Sequence, residues 1–121
     1  MRKVLVVEDE EDIVTILQTA LQRNNYEVIT ANNGEEALDK IDFSKPDLIL
    51  LDLMLPKVDG FTVNLRLKDN PETASIPVIV ITGKGNAREF FNIKEGATIA
   101  AYYEKPVPVS MILKRIKELL G

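Results

Sequence analysis

Val4-Leu5-Val6-Val7-Glu8-Asp9, Leu48-Ile49-Leu50-Leu51-Asp52 and Val78-Ile79-Val80-Ile81-Thr82 share one pattern: an unbroken apolar run that ends on a polar residue. Runs of about four to eight apolar residues without alternation suit strands buried on both faces, as in a parallel sheet covered by helices. Tyr26 to Thr30 and Ala100 to Glu104 are weaker segments of this kind and read as strands nearer an edge. Between them the apolar spacing becomes helical. Ile13, Ile16, Leu17, Ala20 and Leu21 form one stripe, and Ile112, Leu113, Ile116, Leu119 and Leu120 form another. Shorter helices are read over Glu35–Ile41, Phe61–Lys68 and Ala87–Lys94. Asn33 with Glu36 resembles part of a capping box, and Asn86 and Ser110 are candidate caps. Pro46, Pro71, Pro77 and Pro106 punctuate the elements.

The order is therefore β-α repeated five times. Parallel strands need crossovers, and right-handed crossovers place helices on both faces. The expectation is an α/β fold: a doubly wound three-layer sandwich of a five-stranded parallel sheet and five helices. The 121 residues are the size of one domain. No repeat or linker is visible, and the last helix runs to Leu120, so residues 1–121 read as a single domain with no output domain.

Composition narrows the chemistry. Nineteen acidic and 15 basic residues give a net charge of −4, which argues against a direct nucleic-acid binder or a protein built to coat an anionic membrane. The absence of Cys excludes disulfides and thiolate metal sites. The absence of His excludes an imidazole base and a His-ligated zinc. Any metal must use oxygen ligands, with Mg²⁺ or Ca²⁺ first. The apolar stretches are too short to span a bilayer, and Met1-Arg2-Lys3 leads into only four apolar residues. A soluble, cytoplasmic protein is expected.

In an open α/β sheet, ligands bind beyond the carboxyl ends of the strands. That rim would collect Glu8 and Asp9, then Asp52, then Thr82 followed by Gly83, then Lys105 followed by Pro106. Glu8, Asp9 and Asp52 carry three negative charges and Lys105 one positive, so a bound Mg²⁺ brings the set to neutrality. A carboxylate beside Mg²⁺ and an ammonium can attack a phosphoryl group, while Thr82 hydrogen-bonds one of its oxygens. Each residue also has a plainer reading. An Asp at a strand end is more often a turn or cap, Thr82 a β-branched strand residue, and Lys105 a solvated charge. Acids in a helix's first turn complement its dipole, and Glu10, Glu11 and Asp12 are assigned to that role. The coincidence of all five residues on one rim favours a site.

Val4-Leu5-Val6-Val7-Glu8-Asp9-Glu10, Leu50-Leu51-Asp52-Leu53-Met54-Leu55-Pro56 with Asp59-Gly60, Val80-Ile81-Thr82-Gly83 and Glu104-Lys105-Pro106 together resemble the receiver domain of two-component response regulators, the chemotaxis-regulator-like family. The resemblance covers essentially the whole chain. It implies a flavodoxin-like sheet of order 2-1-3-4-5. It implies Asp52 as phosphoacceptor, and Glu8 (through water), Asp9, Asp52 and the Met54 main-chain carbonyl as ligands of Mg²⁺, with Mn²⁺ a substitute. It implies Thr82 as a switch hydroxyl, Lys105 as the residue pairing with the phosphoryl group, and a cis Lys105–Pro106 bond. The module would be no enzyme beyond catalysing its own phosphotransfer and dephosphorylation. Its partners would be a sensor histidine kinase or histidine phosphotransfer protein and a downstream effector protein. It would act as a monomer or a phosphorylation-dependent dimer.

The chain departs from the family pattern in places. Glu8 stands where Asp is also common. Gly96 to Lys105 spans nine positions where the family usually has seven, which unsettles the aromatic switch. Counting back three from Lys105 selects Tyr102, and its neighbour Tyr103 should face the other way. Met54 and Lys84 occupy the two positions that the family associates with phosphoryl lifetime. A haloacid-dehalogenase-type phosphohydrolase would need an acid at position 54, where Met stands. A dinucleotide module would need a glycine-rich turn where Glu8-Asp9-Glu10 stands, and Gly83-Lys84-Gly85 lacks P-loop spacing. A receiver that only binds partners would not need the full phosphorylation set.

Overall fold

The continuous apolar runs become the sheet's centre because parallel strands covered on both sides must be apolar on both faces. A computed structural model describes residues 1–83 and 99–121. In chain order it contains β1 (Lys3–Val7), α1 (Glu11–Arg23), β2 (Glu27–Ala31), α2 (Gly34–Ser44), β3 (Leu48–Leu51), α3 (Gly60–Asp69), β4 (Val78–Thr82), β5 (Ala101–Glu104) and α4 (Val109–Leu120). The five strands form one sheet of order β2-β1-β3-β4-β5. All adjacent pairs are parallel, with Val6 opposite Thr30 and Leu50, and Leu51 opposite Val80. This is the expected doubly wound sheet. The helix read over Ala87–Lys94, its cap Asn86, Lys84 and the start of the Gly96–Lys105 span lie outside the described residues.

Strand alternation divides the core in two. Leu5, Val7, Ile49, Leu51, Val78 and Val80 pack with α2 and α3 residues Ala37, Ile41, Val63 and Leu67. Val4, Val6, Leu48, Leu50, Ile79 and Ile81 pack on the other face with Leu17 and Leu21 of α1 and Ile112 and Ile116 of α4. Burying each such side chain fully contributes about 1.5–3 kcal/mol. The two weaker segments are the edge strands, and they are only partly buried.

Local details both follow and depart from expectation. The Asn33 side chain accepts the Glu36 N–H at 2.8 Å and caps α2. Glu36 does not close the box, because its carboxylate pairs with Lys40 at 2.9 Å. Ser110 is not a cap: α4 starts at Val109 behind Pro108, and Ser110 lies inside the first turn. Proline's fixed φ sets the helix entry there without a side-chain cap. Ile16, placed in the apolar stripe of α1, is exposed. Among the described residues, no helix is long and apolar enough to cross a membrane.

Candidate functional site

The carboxyl rim is built by extending the backbone ladder one step past the apolar runs. Glu8 N donates to Ala31 O at 3.0 Å, and Asp52 N donates to Val7 O at 3.0 Å. These bonds carry two carboxylates in register to the end of the central strands, where Glu8 and Asp52 are each only 4% exposed. Lys105 is tied to the same rim by its N–H, which donates to Thr82 O at 2.9 Å. The Lys105–Pro106 peptide is cis.

The Lys105 ammonium then donates to three acids. Nζ donates to Glu8 Oε1 at 2.6 Å, Asp52 Oδ2 at 3.0 Å and Glu10 Oε1 at 3.4 Å. The other Asp52 oxygen, Oδ1, accepts the Met54 N–H at 3.0 Å. Burial is the main influence on Glu8 and pushes its carboxyl up to about 7, against the Lys105 hydrogen bond and with the help of the Asp52 charge. Burial disfavours the Lys105 ammonium, but hydrogen bonds to Glu8 and Asp52 and their negative charges outweigh it and raise its pKa.

Glu8, Asp9 and Asp52 each present a carboxylate oxygen, and these oxygens lie within 4.8 Å of one another. Two of the three acids are buried with one shared cation, and every donor is a hard oxygen. That set suits Mg²⁺ or Mn²⁺. An open cleft beside it is lined by Asp9, Glu10, Asp52, Met54, Gly83 and Lys105. The rim thus brings together Glu8, Asp9, Asp52, Met54 and Lys105 as the sequence suggested. Thr82 ends β4 fully buried, and it is Gly83 that lines the cleft. Tyr102 lies opposite Val80, on the face it shares with that residue, and packs on the α2–α3 core. Tyr103 packs on the other core, so the two tyrosines do face opposite ways.

Two features escaped the sequence reading. Glu10 precedes α1 in an extended conformation, and its carboxylate joins the Lys105 network rather than only facing the helix dipole. Its N–H donates to Glu8 Oε2 at 3.2 Å, a local bond that residue types alone do not announce. The second feature is a glycine cradle around the loop that follows Asp52. A Cβ on Gly60 would meet Asp52 O at 2.5 Å, and one on Gly34 would meet Val58 O at 1.7 Å. The first residues of α3 and α2 therefore press on this loop as only glycine permits. Asp59-Gly60 was visible as a motif, but its partner surfaces were not.

The response regulator receiver domain family matches residues 4–117. The chain is 44% identical to the alkaline phosphatase synthesis transcriptional regulatory protein PhoP of Bacillus subtilis, covering 98% of this chain but 48% of that protein. It is 38% identical to the polar-differentiation response regulator DivK of Brucella anthropi, covering 99% of this chain and 97% of that one. A CheY-like response regulator receiver domain protein from Methanospirillum hungatei superposes with a TM-score of 0.89 at 28% identity, over 99% of this chain and 94% of the other. The fold and its rim define a signalling module of the receiver type. The chain belongs to the response regulator receiver family of two-component signalling. It spans about half the length of the Bacillus regulator it matches.

Proposed function

We propose that Asp52 accepts a phosphoryl group from a histidine of a sensor kinase or histidine phosphotransfer protein, and that the resulting switch alters affinity for a downstream effector protein. The observation that carries this reading is a buried carboxylate whose ammonium partner is shared with other acids, at 3.0 Å from Asp52 and 2.6 Å from Glu8. Lys105 can therefore turn from carboxylates to a phosphoryl oxygen without being left unpaired.

Glu8, Asp9, Asp52 and the Met54 carbonyl would hold Mg²⁺ or Mn²⁺, which supplies positive charge against the acceptor and the phosphoryl oxygens. An Asp52 oxygen attacks phosphorus. The bond from phosphorus to the donor's imidazole nitrogen breaks, and that nitrogen keeps the electron pair and takes a proton. Lys105 neutralises charge on the equatorial oxygens, and the Thr82 hydroxyl turns to hydrogen-bond one of them. Tyr102 then rearranges on the face it shares with Thr82, and the surface of β5 and α4 changes. Residues 1–121 act as one cytoplasmic receiver, as a monomer or as a dimer formed on phosphorylation.

Incubation with a small phosphodonor and Mg²⁺, followed by intact-mass measurement, tests the assignment. The wild type should gain the mass of one phosphoryl group and Asp52→Asn none. An Asp52→Asn protein that still gains it would move the acceptor elsewhere.

A further inference from the structure

The rim is more negative than the metal and acceptor residues alone suggest. Among the described residues, Glu8, Asp9, Glu10 and Asp52 set four carboxylates against the Lys105 ammonium. A divalent cation on the first, second and fourth of these acids still leaves one negative charge on this described set. That charge belongs to Glu10, whose oxygens are not in the group that converges within 4.8 Å. Its side chain is 63% exposed and lines the same open cleft as Asp52, Met54 and Gly83. The position is fixed locally: the Glu10 backbone is extended at φ −84 and ψ 109, and its N–H is held by Glu8 Oε2. The carboxylate therefore stands at the cleft that leads to Asp52, with one oxygen 3.4 Å from the Lys105 ammonium.

We propose that Glu10 is a specificity-determining residue that discriminates between phosphodonors by charge, disfavouring small dianionic donors at the Asp52 cleft. This rests on Asp52 being the phosphoacceptor. The physical basis is simple repulsion. An incoming dianion meets the residual charge and competes with Glu10 for the same ammonium, whereas a monoanion meets half the repulsion. Because Glu10 is exposed, the effect is screened by salt. The same carboxylate attracts Mg²⁺, so its removal should move metal affinity and phosphorylation rate in opposite directions. Loss of a merely structural contact would lower both.

The experiment compares wild type, Glu10→Gln and Glu10→Lys with two probes at saturating Mg²⁺: acetyl phosphate, a dianion at neutral pH, and phosphoramidate, a monoanion there. Initial rates are read by intact mass. At low ionic strength the acetyl phosphate rate should rise roughly threefold in Glu10→Gln and roughly tenfold in Glu10→Lys, with smaller rises for phosphoramidate and convergence of all three proteins at high salt. Calorimetric Mg²⁺ affinity should fall roughly threefold in Glu10→Gln. Equal changes with both donors, salt-independent changes, or a rate that falls together with Mg²⁺ affinity would overturn the proposal. Failure of the wild type with both donors would instead overturn the Asp52 assignment, and the proposed discrimination with it.

Discussion

At the amino-terminal rim of the sheet, charges are answered one by one and near water. The Asp47 carboxylate accepts the Lys3 backbone N–H at 2.7 Å and faces Arg2 at 3.9 Å. Lys3 Nζ donates to Ser44 O at 3.3 Å, Lys45 pairs with Glu72 at 3.2 Å, and Lys68 donates to the carbonyls of Ala74 and Ile76. At the opposite rim, one ammonium serves three carboxylates, and two of those are buried. The first arrangement is what a sheet end needs in order to be stable. The second holds like charges together out of water, which disfavours folding unless a cation is supplied. A single fold thus keeps its electrostatic strain at the end where strands deliver their last residues to a cleft.

Removing the shared cation should break this comparison most strongly. Lys105→Met leaves Glu8 and Asp52 buried without a counter-charge and should lower metal-free stability at pH 7 by about 3 kcal/mol, whereas Arg2→Ala should stay within about 0.5 kcal/mol. Urea unfolding of both variants checks it. Comparable losses at the two rims would show that burial of the acids matters less than their distances imply.

The Glu8 carboxyl gives the comparison a pH axis. Its folded pKa of about 7 lies above the ordinary 4.5, so between those values the folded state binds more protons than the unfolded chain. Stability contributed by this group is present below about 4.5 and is lost as pH rises through about 7. The metal-free slope should approach 1 kcal/mol per pH unit inside that window. Glu36 works in the other sense, since its hydrogen bond to Lys40 lowers its pKa and its stabilisation is lost as pH falls. The clean reading is therefore the difference between wild type and Glu8→Gln, measured by melting temperature from pH 4.5 to 7.5. A flat difference would place the Glu8 carboxyl in the ordinary range.

Relieving the repulsion should have a smaller effect of opposite sign. Asp52→Asn keeps a polar side chain beside Lys105 and removes one negative charge from the buried pair. Metal-free stability should rise by about 1–2 kcal/mol, and stabilisation by Mg²⁺ should shrink. Asp47→Asn at the other rim should lower stability by less than about 1 kcal/mol, equally with and without Mg²⁺. Melting curves of the two variants across a Mg²⁺ titration separate these outcomes.

The asymmetry between the rims was half legible in the sequence. Four-residue apolar runs bounded by turn residues suit strands covered on both faces, and the polar residue that ends such a run emerges at the strand's carboxyl end. Glu8, Asp9, Asp52 and Lys105 could therefore be placed together before any coordinates. Alternation also set Tyr102 and Tyr103 on opposite cores. What could not be read was the hand-over from strand to helix. Glu10 looks like a first-turn acid, yet it stands extended just before α1, its N–H bonded to Glu8 Oε2 and its carboxylate at Lys105. Ser110 looks like a cap, yet the helix begins one residue earlier behind Pro108. Both misreadings concern single residues at element ends, where one backbone hydrogen bond or one fixed φ decides and periodicity is silent.

The smallest expected effect tests whether the two rims are independent. Lys45 closes α2 in the left-handed region, at φ 49 and ψ 64, with its N–H donating to Ile41 O at 3.1 Å. A residue with a Cβ is strained there by roughly 1 kcal/mol relative to glycine. Lys45→Gly relieves that strain, loses an exposed ion pair with Glu72 worth at most about 1 kcal/mol, and gives the unfolded chain more freedom. The net change should be a gain below about 1 kcal/mol in urea unfolding, identical in metal-free and Mg²⁺ buffers. A gain that depended on Mg²⁺ would mean that α2 transmits strain along its length. Its first residue, Gly34, presses on the loop after Asp52, so the contact with Val58 would then be the place to look for the coupling.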